Sequence, residues 1–298
     1  MKKSTIIAAA IASTIAGTAI ADTSIYGNVR LSLRNQAEVN MDSSKLIVGF
    51  KASEDLGNGM TGFARVELEH DDANAKGSGW DNDLSYVGLK GDFGSVSVGY
   101  QNDAAGFACS GTDLFTLNGG NACGVGAVNG GLNNAIVYLG GSDAFSFVLA
   151  ATINGSQDQG GDNVIGGLKF AGESFSIGGQ VTSLDEVSGD ATVMVIGGTL
   201  MLGNVQLGLT FADNDTADMN TAYAVGLKMP LAGGTFKAAM DTGDALDAGV
   251  NGDGTAVNVE FNKGISKSMY WGASFTTIDN DGGAWADDQV AAWLGMKF

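Results

Sequence analysis

Few residues of this 298-residue chain have the types and spacing for covalent or metal chemistry. His70 is the single histidine, which removes any multi-histidine metal centre and leaves a Ser-His-Asp relay only if His70 itself serves. It stands at a predicted strand end among acids, where a nucleophile and an orienting group would have to converge on it. A rim residue is the expectation, and no catalytic residue is assigned. The stretches Asp213-Asn214-Asp215, Asn251-Gly252-Asp253-Gly254 and Asp279-Asn280-Asp281-Gly282 offer oxygen ligands that suit calcium or magnesium. None completes the loop closed by a bidentate Glu, so they read as solvated charge, with no metal and no cofactor expected. The glycine-rich pieces between Asn102 and Asn133 lack the following helix and Lys of a phosphate-cradling loop. What remains are charges at regular intervals, and their use depends on the elements that carry them.

Lys2 and Lys3 precede an apolar stretch from Ile6 to Ile20 and the small-x-small triplet Ala19-Ile20-Ala21. That order is the signature of an export signal. Residues 1–21 are expected to be removed between Ala21 and Asp22, leaving one domain over 22–298. Setting aside the two signal lysines leaves 13 basic residues against 33 acidic, a balance of −20. Nucleic acid is therefore an unsuitable partner, because binding a phosphate backbone rests on clustered Lys and Arg. The two cysteines, Cys109 and Cys123, are even in number in an exported chain, and a disulfide between them is chemically permitted.

No later apolar run is long enough for a spanning helix. With 47 Gly, one Pro and many segments of alternating polarity, the chain reads as all-β. Sixteen candidate strands run from Ser24–Arg34 and Ser44–Ser53 through Thr61–His70, Asp83–Gly91 and Ser95–Gln101 to Ser268–Thr277 and Asp288–Phe298. From the second strand on, their connections alternate between short and long. Short ones include Glu54–Met60, Asp92–Gly94, Gly141–Asp143 and Pro230–Gly234. Long ones include Asn35–Asp42, Asp71–Asn82, Gly243–Asp253 and the longest, Asn102–Asn133. Tight turns on one rim and long loops on the other are what a closed antiparallel barrel in an outer membrane requires, with both chain ends on the turn side.

Such a barrel is apolar outside and polar inside, and the strands split accordingly. Ile25, Val29, Leu31 and Leu33 oppose Tyr26, Asn28, Arg30, Ser32 and Arg34. Leu46, Val48 and Phe50 oppose Lys45 and Lys51, and Ala64, Val66 and Leu68 oppose Arg65, Glu67 and Glu69. Sixteen strands enclose water rather than a packed core, so the lumen is expected to be charged and wet. Arg30 and Arg65, with Arg34 and Lys45 above them, form one basic wall, interrupted by Glu67 and Glu69. The tenth strand is ambiguous: Val193 and Val195 compete with Met194 and Ile196 for the outer face.

Three stretches carry a resemblance to a known family: Ser24-Ile25-Tyr26-Gly27, the run from Val48-Gly49-Phe50-Lys51 through Glu54-Asp55-Leu56-Gly57-Asn58-Gly59-Met60, and the run from Tyr86-Val87-Gly88-Leu89-Lys90 to Phe93-Gly94-Ser95-Val96. They resemble, in turn, the first strand, the second strand with the first tight turn, and the fourth strand, second turn and fifth strand of the general diffusion porins of the Gram-negative, Neisseria-type porin family. Val290, Ala292, Leu294, Met296 and terminal Phe298 alternate like the strand that the outer-membrane assembly machinery recognises. The resemblance implies a homotrimer in the outer membrane, in contact with its lipid and lipopolysaccharide, passing ions and small hydrophilic solutes. It also implies a long third external loop, here Asn102–Asn133, folded into the lumen, with Asp103 and Asp113 facing the basic wall. This loop carries two acids and both cysteines, a departure that weighs against a strongly acidic constriction. A substrate-specific channel and a closed-lumen adhesin or structural barrel are the alternatives.

The isolated pair Cys109 and Cys123 is expected to form an intraloop disulfide. Closing a loop of this size stabilises by about 3 kcal/mol in the chain-entropy model. Intact-mass analysis with and without reductant should find no free thiol in the unreduced, folded protein; free thiols there would refute the bridge.

Overall fold

The computed structural model describes residues 21–36, 38–70, 79–102, 106–117, 131–153, 163–184, 191–215, 221–244, 253–280 and 288–298. Their alternating polarity resolves into strands β1 (Asp22–Gln36), β2 (Glu38–Gly57), β3 (Met60–Glu69), β4 (Asp81–Gly91), β5 (Gly94–Asn102), β6 (Gly131–Gly141), β7 (Phe145–Thr152) and β8 (Val164–Ala171). The second half supplies β9 (Phe175–Leu184), β10 (Ala191–Leu202), β11 (Val205–Asn214), β12 (Thr221–Leu231), β13 (Gly234–Asp244), β14 (Asp253–Gly264), β15 (Met269–Asn280) and β16 (Gln289–Lys297). A single helical turn, α1 (Gly106–Cys109), lies between β5 and β6.

Each strand pairs antiparallel with its neighbours in sequence, and β1 pairs with β16, so the sixteen strands form a closed barrel. Closure removes the free edges that would leave backbone groups unpaired in hydrocarbon. The seam is fixed at the chain's end: Gly27 N donates to Phe298 O (3.0 Å) and Phe298 N to Gly27 O (3.1 Å). The Phe298 ring lies over Gly27, where any Cβ would meet it at 2.2 Å.

Two of the expected connections differ. The long loop expected over Asn35–Asp42 is absent, because β1 and β2 stay paired from Asp22↔Ser53 to Gln36↔Glu38. Alternation continues through Val39 and Met41, both outward and exposed, and above the bilayer a ladder needs only its own backbone bonds. The turn expected over Glu54–Met60 shrinks to Asn58 and Gly59, since β2 runs on to Gly57 and β3 starts at Met60. Gly57, Asn58 and Gly59 all take positive φ (77°, 54° and 74°), the left-handed backbone that Asn and Gly accept most readily. Asp55 Oδ1 accepts from Gly57 N at 2.8 Å and holds the corner.

A third correction concerns the inner face. On β6 to β8 the inward residues Leu132, Ala135, Val137, Val148, Ala150 and Ile165 are apolar and buried, so this stretch of the wall is dry, and charge returns only with Lys169 nearer the short turns. On β10 the ambiguity resolves with Val193 and Val195 inward, at 2% and 1% exposure, and Ile196 outward. One cause explains both. The chain after β5 turns into the barrel and covers this wall, packing Phe107 on the first cluster and Ala108 and Cys109 on Val193, Val195, Ala212, Ala222 and Ala224.

The covering segment approaches so closely that the wall beneath it must be glycine. A Cβ on Gly178 would meet Phe107 O at 2.0 Å, one on Gly197 would meet Ala108 O at 2.0 Å, and one on Gly208 would meet Gly111 O at 1.8 Å. These three positions step across β9, β10 and β11 as a track for the loop backbone.

Gly208→Val should therefore displace the loop and cost about 1–3 kcal/mol through overpacking. Its readout is a lower heat-denaturation midpoint of the detergent-solubilised barrel by circular dichroism. Gly166→Val is the control: no atom lies within 4 Å of its added Cβ, and the midpoint should stay at the wild-type value.

Candidate functional site

The candidate site is the lumen between the infolded loop and the uncovered wall. The loop leaves β5 at a bulge, where register shifts between Gly99 and Gln101 and Gly99 adopts φ 131°. A bulge re-aims a strand end, and here it turns the chain inward. Ser97 Oγ donates to Gln101 Oε1 (2.5 Å), and Gln101 Nε2 reaches Ala135 O (3.4 Å). After α1, Thr112 and Asp113 donate their backbone N–H groups to Cys109 O at 3.1 and 3.0 Å. The Thr112 hydroxyl is 2.6 Å from that of Thr210 on β11.

The far end of the described loop is tied to β14 by a buried carboxylate. Glu260 Oε2 accepts from Thr116 N (2.6 Å), and its Oε1 accepts from Thr116 Oγ1 (2.7 Å) and Lys237 Nζ (2.6 Å), with Asn262 Nδ2 as a further donor. The Glu260 side chain is 0% exposed. A carboxylate buried this deeply is tolerable only when paired and fully hydrogen-bonded, so Glu260 both needs and holds the loop end.

Across the lumen, β1 to β3 present the expected charges. Arg30 is inward and buried, and Lys45 stands directly opposite it in the ladder rather than above it; Arg34 is inward two pleat repeats nearer the loops, beyond Ser32. Lys51 likewise faces Arg65 across β2 and β3. Like charges in opposed positions repel, and the neighbours relieve them. Arg65 Nη2 bonds Glu67 Oε2 at 2.7 Å and its Nε donates to Tyr26 OH at 2.6 Å, while Tyr26 OH donates to Glu67. Lys51 Nζ sits 4.6 Å over the Tyr26 ring, and Lys45 Nζ lies 3.6 Å from Glu69. The two acids thus neutralise Arg65 and Lys45 instead of merely interrupting a basic row.

Of the two loop acids, Asp113 is described and Asp103 lies outside the described residues. Burial away from water raises the Asp113 carboxyl from its ordinary value, with Lys237 pulling the other way. Its electrostatic neighbour is thus Lys237 on β13. Cys109 is disulfide-bonded; Cys123, the other cysteine of the chain, lies outside the described residues. His70 is at the loop end of β3 in an edge-to-face contact with Trp80, centroids 5.4 Å apart. Among the described residues no cluster of three or more His, Cys, Asp or Glu could hold a metal.

Sequence reading missed Lys237, Glu260, Tyr26 as a hydrogen-bonding partner and the glycine track. Lys237 and Glu260 were legible in part, since Glu260 shares the inward side of β14 with Asn258 and Asn262. Their pairing was not, because it depends on register between β13 and β14, where Lys237 stands opposite Glu260. Nothing local marked Gly178, Gly197 and Gly208 in a chain with 47 glycines.

Residues 7–283 match the family model of the Gram-negative porins. The major outer membrane protein P.IB of Neisseria meningitidis is 34% identical over 116 residues, 34% of each chain. Outer membrane protein U of Vibrio vulnificus is 29% identical over 173 residues, 54% of this chain and 51% of that one. The chain thus aligns with about a third to a half of the length of these curated relatives. A loop-deleted OmpT, an outer membrane protein of Vibrio cholerae, superposes with a TM-score of 0.79 over 94% of this chain and 100% of its own, at 14% identity. The closed sixteen-strand barrel and the family match over most of the chain agree: this is an outer-membrane β-barrel protein, and it belongs to the Gram-negative porin family.

Proposed function

We propose that the barrel is a passive channel through which ions and small hydrophilic solutes cross the outer membrane. The observation that carries this reading is the contrast between the two walls. The loop covers the apolar wall from β6 to β12 and leaves charged side chains of β1 to β3, among them Lys45 and Lys51, facing the interior. Such charges inside a sixteen-strand barrel are stable when water solvates them. Glu260 holds the loop in one place, so the passage keeps one cross-section. No bond is made or broken in this reading, and the protein is a channel rather than an enzyme.

Several finer assignments belong to the same proposal. Export ends with cleavage between Ala21 and Asp22, and β1 begins at Asp22. Cys109 pairs with Cys123 and stiffens the infolded loop. Phe298 closes the strand read by the assembly machinery, and the working unit is a homotrimer set in lipid and lipopolysaccharide. Arg30, Arg34, Lys45, Arg65, Glu67, Glu69, Asp103 and Asp113 line the passage.

Folded protein added to a planar bilayer should produce ohmic steps; their absence would overturn the channel reading. Ion preference follows from charge placement. Pairing with Glu67 and Glu69 mutes the basic wall, and acid-rich loops concentrate cations at the mouth. A weak cation preference is expected at low salt. It should fade as screening shortens from about 10 Å at 0.1 M to about 3 Å at 1 M. Reversal potentials across a KCl gradient at both salt levels test this, and an anion preference strongest at low salt would mean that the basic wall governs. Burial raises the Asp113 carboxyl from its ordinary value, so it loses its charge at a higher pH than it would in water, and reversal potentials followed as pH is lowered should show its share of the cation preference fading.

A further inference from the structure

On the covered side, the lumen keeps an alcove of about 490 Å³ that reaches from Phe107 on the loop down to Ser95, Ser146 and Lys169 beside the short turns. Its floor is apolar. Val137 and Val148 are buried there, and Leu139 points inward yet remains 43% exposed. An exposed leucine facing the inside of a water-filled barrel is unexpected where the rule is polar-in, and the loop does not cover it. Its edge is cationic: among the described residues, none that lines the alcove is acidic. Arg65 is already neutralised by Glu67. Lys169 makes no hydrogen bond or ion pair among the described residues, and the same holds for the hydroxyls of Ser95 and Ser146. One uncommitted ammonium and two uncommitted hydroxyls thus stand beside an apolar floor in a cavity of small-molecule size.

We propose that this alcove is a binding site for small monocarboxylates with an apolar body, such as aryl-alkanoates. The carboxylate would meet Lys169 and the hydroxyls of Ser95 and Ser146, and the ring would lie on the exposed face of Leu139. The pairing supplies what each half lacks. A bare anion such as acetate gains only a solvated ion pair, worth little in water, and a neutral apolar solute leaves Lys169 unmatched. A monocarboxylate with a ring gains both contacts and so lingers in the pore.

This site rests on the channel reading, and its test separates the two. Current through the folded protein in a planar bilayer is followed while phenylacetate replaces chloride at constant ionic strength, with acetate as the matched control. Saturable current reduction by phenylacetate and none by acetate is the expected result. Lys169→Gln should weaken the block about tenfold, the scale of a charge-assisted hydrogen bond. Leu139→Ser, at a position exposed in the lumen, should weaken it as well, by removing the apolar contact while Lys169 remains. Ohmic conductance with equal response to the two anions, or with block unchanged in Lys169→Gln, would overturn the site and leave the channel standing. Should no conductance appear, saturation-transfer NMR of phenylacetate with the detergent-solubilised barrel still decides. Transfer to the ring protons that is lost in Lys169→Gln supports the site, and transfer that is absent or unchanged overturns it.

Discussion

Every backbone N–H and C=O in hydrocarbon must find a partner inside the protein, and the fold follows from that requirement. A sheet meets it only by closing on itself, so β1 must find β16 across the whole length of the chain. The seam shows how register is secured. Reciprocal bonds between Gly27 and Phe298 fix the last residue, and the ring of Phe298 over Gly27 makes a slip costly, since a shift by one residue would turn every β16 side chain to the wrong face. Once closed, the barrel offers an outer face answerable to lipid and an inner face answerable to whatever fills it.

The inner face is answerable to two different fillings. Where water fills the barrel, its side chains are charged and need neighbours such as Glu67 and Tyr26 to moderate like-charge contacts. Where the loop fills it, they are valine, alanine and glycine, and the interface is a small dry core. A loop laid inside a barrel brings its own backbone groups, which need partners or water. Short helical bonding around Cys109 satisfies some of them, and Glu260 captures the N–H of Thr116 at the far end. The glycine track lets the described part of the loop lie flat against the wall.

Strand count, loop alternation and the facing of β1 to β3 were legible in the sequence because each depends on a period of two, which is local. The inward direction of Val193 and Val195 was not, because it depends on a segment some ninety residues earlier that replaces water as their environment. The same non-locality hid the Lys237–Glu260 pair and made the lumen read as uniformly wet. Residues 35–42 failed for a different reason: Asn, Ala, Glu and Asp there look like a loop by composition, while the hairpin rises beyond the membrane on backbone pairing alone.

The charges have an axial order that neither wall shows by itself. Lys51, Lys90, Lys169, Lys228 and Lys297 share the inward side of their strands with buried or lumen-facing neighbours, and all lie in the half nearer the short turns. Glu67, Glu69 and Asp241 are inward in the half nearer the loops, where most of the remaining acids also fall. Close pairing turns Arg65 with Glu67 and Lys45 with Glu69 into dipoles, whose field decays faster with distance than that of single charges. The separation between a basic turn end and an acidic loop end is a separation of net charge along the barrel axis and reaches further into the lumen than those close pairs do. That axial separation of net charge, rather than the close pairs across the barrel, is the longer-ranged part of the electrostatics inside it.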